Sequence, residues 1–122
     1  MPTQRQLRVN ALLHHEIADI VRRDLADPDI GFITITGVEV SADLRHARVF
    51  LSVLGDEQAT RRSMGAVIRA RKVIRGLLGD RLDMRYVPEL TIKLDDTAER
   101  AQRMETLLRE VAEGDEDDGA EQ

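Results

Sequence analysis

The sequence predicts an α+β domain, a three-stranded mixed sheet with helices packed on one face. Three observations predict it. Apolar residues recur at helical spacing from Val9 to Leu25 and again between Asp56 and Leu82. They alternate at period two through residues 32–53 and residues 90–94. Between the strand pair and the last strand lies a stretch long enough for a helical crossover, as a mixed sheet requires. A chain of 122 residues supports one modest core.

The first helix opens at Thr3, three residues before Gln6, the spacing of a capping box. Val9, Leu12, Leu13, Ile17, Ile20, Val21 and Leu25 form its stripe. Pro28 disfavours helical backbone at Asp27, so the helix is expected to stop near Ala26. In "FITITGVEV" the apolar phase slips by one at Gly37, from Ile33 and Ile35 to Val38 and Val40, which marks a β-bulge. "SADLRH" turns the chain into "ARVFLSVL", whose Ala47, Val49, Leu51 and Val53 share a face, giving an antiparallel hairpin. Leu90, Ile92 and Leu94 alternate as the third strand, with Pro88 ahead of it where no ladder donor is lost. A last helix carries Met104, Leu107, Leu108 and Val111 as a thin stripe. The organisation expected is a domain over 1–95, a peripheral helix over 96–112 and an acidic, disordered tail over 113–122.

Charge is distributed unevenly. Residues 1–94 hold 15 Lys/Arg against 12 Asp/Glu, and residues 95–122 hold 3 against 11. The window from Arg61 to Arg85 holds eight basic residues against Asp80 and Asp83. That pattern describes a polyanion-facing patch and a separate acidic end, which we expect to compete for the same basic face.

On a wheel of about 100° per residue, Ala66, Val67, Ala70, Val73, Ile74, Leu77 and Leu78 fall on one side. Arg61, Arg62, Arg69, Arg71, Lys72 and Arg75 fall on the other, with Met64 and Ile68 inside the basic arc. No acidic residue lies between Arg61 and Arg75, so the i,i+4 pairs of a merely solvated face are missing from this stretch. Gly76-Leu77-Leu78-Gly79 is a literal GxxG, the sequence that KH domains use to clamp an RNA backbone. Two leucines on the apolar side of a helix make a poor exposed loop, and Gly79 reads as a C-terminal glycine. With Phe32, Phe50 and Tyr86 the only aromatics, a base-stacking platform is hard to build, and phosphate contacts by Arg are favoured.

Other chemistry is discounted. Cysteine is absent. Within His14, His15, Glu16 and Asp19, the pair His15 and Asp19 is four apart on a helix but lacks a suitably placed third metal ligand. Neither a P-loop nor a nucleophile elbow occurs, and Ser41 and Asp43 are explained by turn bonding. No segment reads as a signal peptide or membrane span, so a cytoplasmic protein without cofactor or small-molecule substrate is expected.

"DPDIGFITITGVEVSADLRHARVFLSVLG" (Asp27 to Gly55), "RLDMRYVPELTIKLDD" (Arg81 to Asp96) and "RVNALLHHEIADIVRRDLADP" closely resemble the bacterial ribosome-binding factor A family, over about Arg5 to Leu108. The resemblance implies a type II KH-like fold, α-β-β-α-α-β, with a helix–kink–helix in place of the GxxG loop. The family's Ala-x-Gly at that kink matches Ala70-Arg71-Lys72, with Lys72 where the glycine would stand. It further implies a non-enzymatic factor that binds the free small (30S) ribosomal subunit near its decoding-region helices. Such factors assist late maturation and 5′-end processing of the 16S rRNA precursor, work beside assembly GTPases and matter for growth in the cold.

The expected contacts to RNA phosphates are Arg69, Arg71, Lys72 and Arg75, extended by Arg61 and Arg62, with Arg81 and Arg85 beyond Gly79 and Arg45 and Arg48 from the hairpin. The chain is expected to act as a monomer. The rivals are a KH-like RNA-binding protein with no ribosomal role and a module whose basic helix meets an acidic protein.

Overall fold

The computed structural model describes the backbone of residues 1–121 and the side chains of residues 1–114. In chain order the elements are α1 (Gln4–Arg23), β1 (Phe32–Val40), β2 (His46–Leu54), α2 (Glu57–Arg69), α3 (Arg71–Arg81), β3 (Glu89–Leu94) and α4 (Thr97–Glu121). The strand order is β1-β2-β3, with β1 antiparallel and β3 parallel to the central β2. This is the mixed sheet and α-β-β-α-α-β order that the sequence predicts.

The capping box of α1 forms in both directions. Gln6 N–H donates to Thr3 Oγ1 at 3.1 Å, and Thr3 N–H donates to Gln6 Oε1 at 2.8 Å. The helix ends at Arg23, earlier than Pro28 alone demands, with Asp24 N–H closing onto the Ile20 carbonyl. Leu13, Ile17, Ile20 and Val21 are buried, whereas Leu12 lies off that stripe in solvent. The polar side of α1 has a role that its sequence conceals. Gln6, Asn10 and His14, spaced by four, run along the free edge of β1. Asn10 Oδ1 accepts from Val40 N–H at 2.8 Å, Gln6 Nε2 donates to Val40 O at 3.2 Å, and His14 Nε2 donates to Ile35 O at 2.7 Å.

The bulge falls at Thr36, between the Ile35–Leu51 and Gly37–Phe50 pairs. It keeps Ile35, Val38 and Val40 all facing the core although their spacing is odd. The hairpin turn is held by Asp43, which accepts from Ser41 Oγ at 2.6 Å and Arg45 N–H at 3.0 Å. Leu44 adopts φ 61°, a backbone that L residues rarely take, and its side chain reaches back onto the core. After β2, Gly55 takes φ 135°, and Asp56 caps α2 through the Ala59 N–H at 2.8 Å.

All buried side chains of β2 and β3 (Ala47, Val49, Leu51, Val53, Leu90, Ile92) face one layer, shared with Ala66 and Val67 of α2 and Ile74 and Leu78 of α3. The opposite sheet face is open, and Phe32 and Leu54, paired across the hairpin, are 80% and 76% exposed. Gly76 and Gly79 both lie inside α3, which runs on to Arg81 and is capped by Leu82 N–H on the Leu78 carbonyl. Gly79 is thus a helix-interior residue rather than the C-terminal glycine expected, and the literal GxxG is no loop. Met104, Leu107, Leu108 and Val111 of α4 are exposed. The acidic tail expected over 113–122 falls mostly on residues whose side chains lie outside those described.

Because Leu78 is fully buried, Leu78→Ala should destabilise the domain by about 2–5 kcal/mol, read from denaturant midpoints. A clamp-loop leucine would be almost neutral in the same measurement.

Candidate nucleic-acid interface

The helical region is broken at one residue. Ala70 has φ −84° and ψ 1°, outside the helical range, and its N–H is shared between the Ala66 and Val67 carbonyls at 3.1 Å each. Helix α3 then starts at Arg71, with Ile74 N–H donating to the Ala70 carbonyl at 2.9 Å. Among the described residues the only non-glycine with positive φ is Leu44. Lys72 therefore sits in ordinary helical backbone, and the break needs no glycine there. That is the physical reason why lysine is tolerated in this position.

The break re-phases the wheel. Val73, expected on the buried side of one continuous helix, is 55% exposed, while Ile74 and Leu78 remain buried. It also creates a second helix N-terminus at the surface. The first N–H groups of α3 lack intrahelical partners, no side chain caps them, and no acidic residue lies in the first turn. Two cations, Arg71 and Lys72, stand there instead, at the positive end of the helix dipole. This arrangement disfavours the isolated domain and favours a bound anion. Arg71 Nε donates to the Ile68 carbonyl at 3.1 Å, closing the end of α2 and aiming its guanidinium at the break.

The remaining candidates divide by what they touch. Arg62 and Lys72 are exposed and in no ion pair among the described residues. Arg61 meets Glu57 at 3.8 Å, an i,i+4 partner lying just before the stretch that looks free of acid. Arg69 reaches Asp29 at 3.3 Å and Asp27 at 3.8 Å. With Gly31 N–H donating to the buried Ser63 hydroxyl at 3.1 Å, it ties the chain before β1 to α2. Arg75 is half-buried, its Nε donating to Pro88 O at 3.0 Å and its Nη2 to Val87 O at 2.9 Å. It fixes the approach to β3 while lining a groove with Arg71, Lys72, Glu89 and Leu90.

Arg81 departs most from expectation. It is held by Glu16, Asp19 and Asp24, all on or next to α1, and its side chain is only 29% exposed. Direct hydrogen bonding by Arg81 holds the Asp19 carboxyl below its usual range, and Asp19 in turn raises the Arg81 value. Arg81 fastens α3 to α1 and is not offered to a ligand. Arg48 pairs with Glu39 at 2.7 Å and lies over Phe50 on the open sheet face, away from the helical layer. Arg45 lies elsewhere. Its carbonyl accepts from Glu89 N–H at 2.8 Å, and its guanidinium stands 5.6 Å from the Tyr86 ring centroid. Arg85, Tyr86 and Arg5 border the same cleft. Arg5 and Tyr86 escaped the sequence reading because each is a single residue with no periodic signal.

Among the described residues, no group of three or more His, Cys, Asp or Glu is placed to hold a metal ion. None of their helices is long and apolar enough to cross a membrane.

The fold and the break together define a small KH-like α+β domain with a cationic helix break where a glycine loop would otherwise stand. The chain belongs to the ribosome-binding factor A family, whose model matches residues 5–108. A relative named ribosome-binding factor A from Halothermothrix orenii is 46% identical over 121 residues, covering 99% of both chains. The crystal structure of ribosome-binding factor A from Thermus thermophilus shares the fold at a TM-score of 0.65 and 24% identity, covering 73% of this chain and 94% of that one. A Thermus thermophilus homology model fitted into the cryo-electron-microscopy map of a 30S complex is similar at a TM-score of 0.60 and 24% identity, over 71% and 91% of the two chains.

Arg81→Met should lower the melting temperature and leave RNA affinity and its salt dependence unchanged, as calorimetry and binding at several salt concentrations would show. The lowered Asp19 value exists only in the folded state, so its contribution is complete above about pH 4 and is lost as pH falls through the lowered value. Asp19→Asn should therefore flatten the acid-side decline in melting temperature, followed from pH 7 to about pH 3.

Proposed function

We propose that this protein binds the free 30S subunit and assists late maturation and 5′-end processing of its 16S rRNA precursor, as a non-enzymatic monomer in the cytoplasm. One observation carries the reading: the uncapped N-terminus of α3, flanked by Arg71 and Lys72, is built to receive a phosphate and has no anion of its own. Membership of the family supports the ribosomal target, as does the fitting of the Thermus thermophilus protein into a 30S map. Arg62, Arg71 and Lys72 contact rRNA phosphates. Arg75 contributes charge to the groove while keeping its backbone bonds, and Arg61 and Arg69 add a diffuse field from within their ion pairs. Assembly GTPases act beside the bound factor.

The contacts are phosphate contacts, so affinity falls steeply with salt. Each of Arg62→Ala, Arg71→Ala and Lys72→Ala should reduce the salt slope of 30S binding by about one, and the triple variant should lose co-sedimentation with 30S subunits at physiological salt. Unaltered co-sedimentation of a folded triple variant would sink the assignment. Depletion of the protein should raise the fraction of 16S rRNA with an unprocessed 5′ end, read by primer extension. A normal 5′ end would remove the processing role and leave 30S binding standing.

A further inference from the structure

Apart from the α3 groove, with which it shares no lining residue, lies a second cleft of about 660 Å³, within the size range of small-ligand sites. Its walls come from the first turn of α1, the hairpin turn and the loop between α3 and β3. It combines an aromatic ring, three guanidiniums and two carboxylates with the apolar side chains of Val9, Leu44 and Met84. We infer that this cleft is a seat for one unpaired RNA nucleotide, its base stacked on the face of Tyr86 that Arg45 does not cover, its phosphate held by Arg5 and Arg85. The inference rests on the RNA-binding reading above and adds to it a second site of different chemistry.

Tyr86 is 52% exposed and its hydroxyl makes no hydrogen bond among the described residues, so the ring is not there to fill the core. The Arg45 guanidinium lies over one face of that ring, 5.6 Å from its centroid, which leaves no space for a base between them and makes the other face the stacking surface. The loop is pinned: Arg75 holds the carbonyls of Val87 and Pro88, directly after Tyr86, and Pro88 is buried. The hairpin side is pinned too, by the Asp43 turn bonds and by Leu44 at φ 61°. The backbone that carries Tyr86 and Arg45 is thus fixed before any ligand arrives, which limits the entropy lost on binding.

The two acidic residues of the cleft differ. Asp43 is engaged by Ser41 and Arg45 N–H, and these bonds, the Ser41 one foremost, hold its carboxyl below the usual range. Asp83 is exposed and in no ion pair among the described residues. A free carboxylate beside a stacking ring accepts from an exocyclic amino group. The seat therefore prefers a base with an exocyclic amino group (cytosine, adenine or guanine) to uracil, which has none.

The chain has one tyrosine and no tryptophan, so Tyr86→Trp places a single indole in the seat, excited on the red edge where nucleobases absorb little. Titration of the full chain with an oligocytidylate hexamer should quench that indole saturably, and an oligouridylate hexamer should need several times the concentration. Tyr86→Ala should weaken oligocytidylate binding roughly 5- to 100-fold, Tyr86→Phe should restore it, and both should bind fully paired RNA as wild type does. Oligocytidylate binding with an unquenched indole and no loss in Tyr86→Ala would overturn the seat and leave the phosphate surface at α3 intact. Equal quenching by both hexamers would overturn the amino-base assignment. Failure of the wild-type chain to bind either single-stranded or paired RNA would overturn both sites.

Discussion

The parallel pairing of β3 with β2 sets a length problem that the rest of the fold solves. After the nine residues of β2, about 30 Å of chain, the crossover must carry the chain back so that Glu89 can lie beside His46. Helices α2 and α3 contain 13 and 11 residues, and in line they would run about 36 Å, past the end of the strand they cover. Breaking the helix at Ala70 lets both halves bury a face on the same sheet, Val67 on one side of the break and Ile74 and Leu78 on the other. The break leaves α3 with its own N-terminus. The uncapped, cationic helix start at Arg71 and Lys72 is a by-product of closing a parallel crossover over a short sheet.

Local signals were legible where a single residue type has a single physical use. The Thr3–Gln6 box, the phase slip at Gly37 and the misfit of two leucines in a clamp loop all appear in the structure as their chemistry requires. The wheel failed at Val73 because it extends one phase through a residue that leaves the helix. Charge was legible as a total but not as a distribution of partners. Arg69 meets Asp29 forty positions away, and Arg81 meets carboxylates 57 to 65 positions away. No periodicity reports such distances. Arg75 is subtler, since its partners are carbonyls, which the sequence does not distinguish from any others.

The cations therefore perform three tasks under one appearance. Arg81 and Arg69 fasten elements that are distant in sequence, Arg75 fixes a loop through its backbone, and Arg62, Arg71 and Lys72 stay open to an outside partner. An ion pair at the surface adds little stability in water. Arg81 differs because three carboxylates converge on it, and without it, among the described residues, Glu16 and Asp24 would have no cation and Asp19 only Arg22 and Arg23 of its own helix.

The line of Gln6, Asn10 and His14 along β1 has a further consequence. A sheet edge with unoccupied carbonyls and amides is a template on which other chains can polymerise. Side chains of α1 occupy that template at Ile35 and Val40, leaving β3 as the only strand at the other margin. That strand is six residues long, follows a proline and carries Lys93, each a deterrent to intermolecular strand addition. Both margins of the sheet are thus poor templates for strand addition, one through helix side chains and the other through brevity.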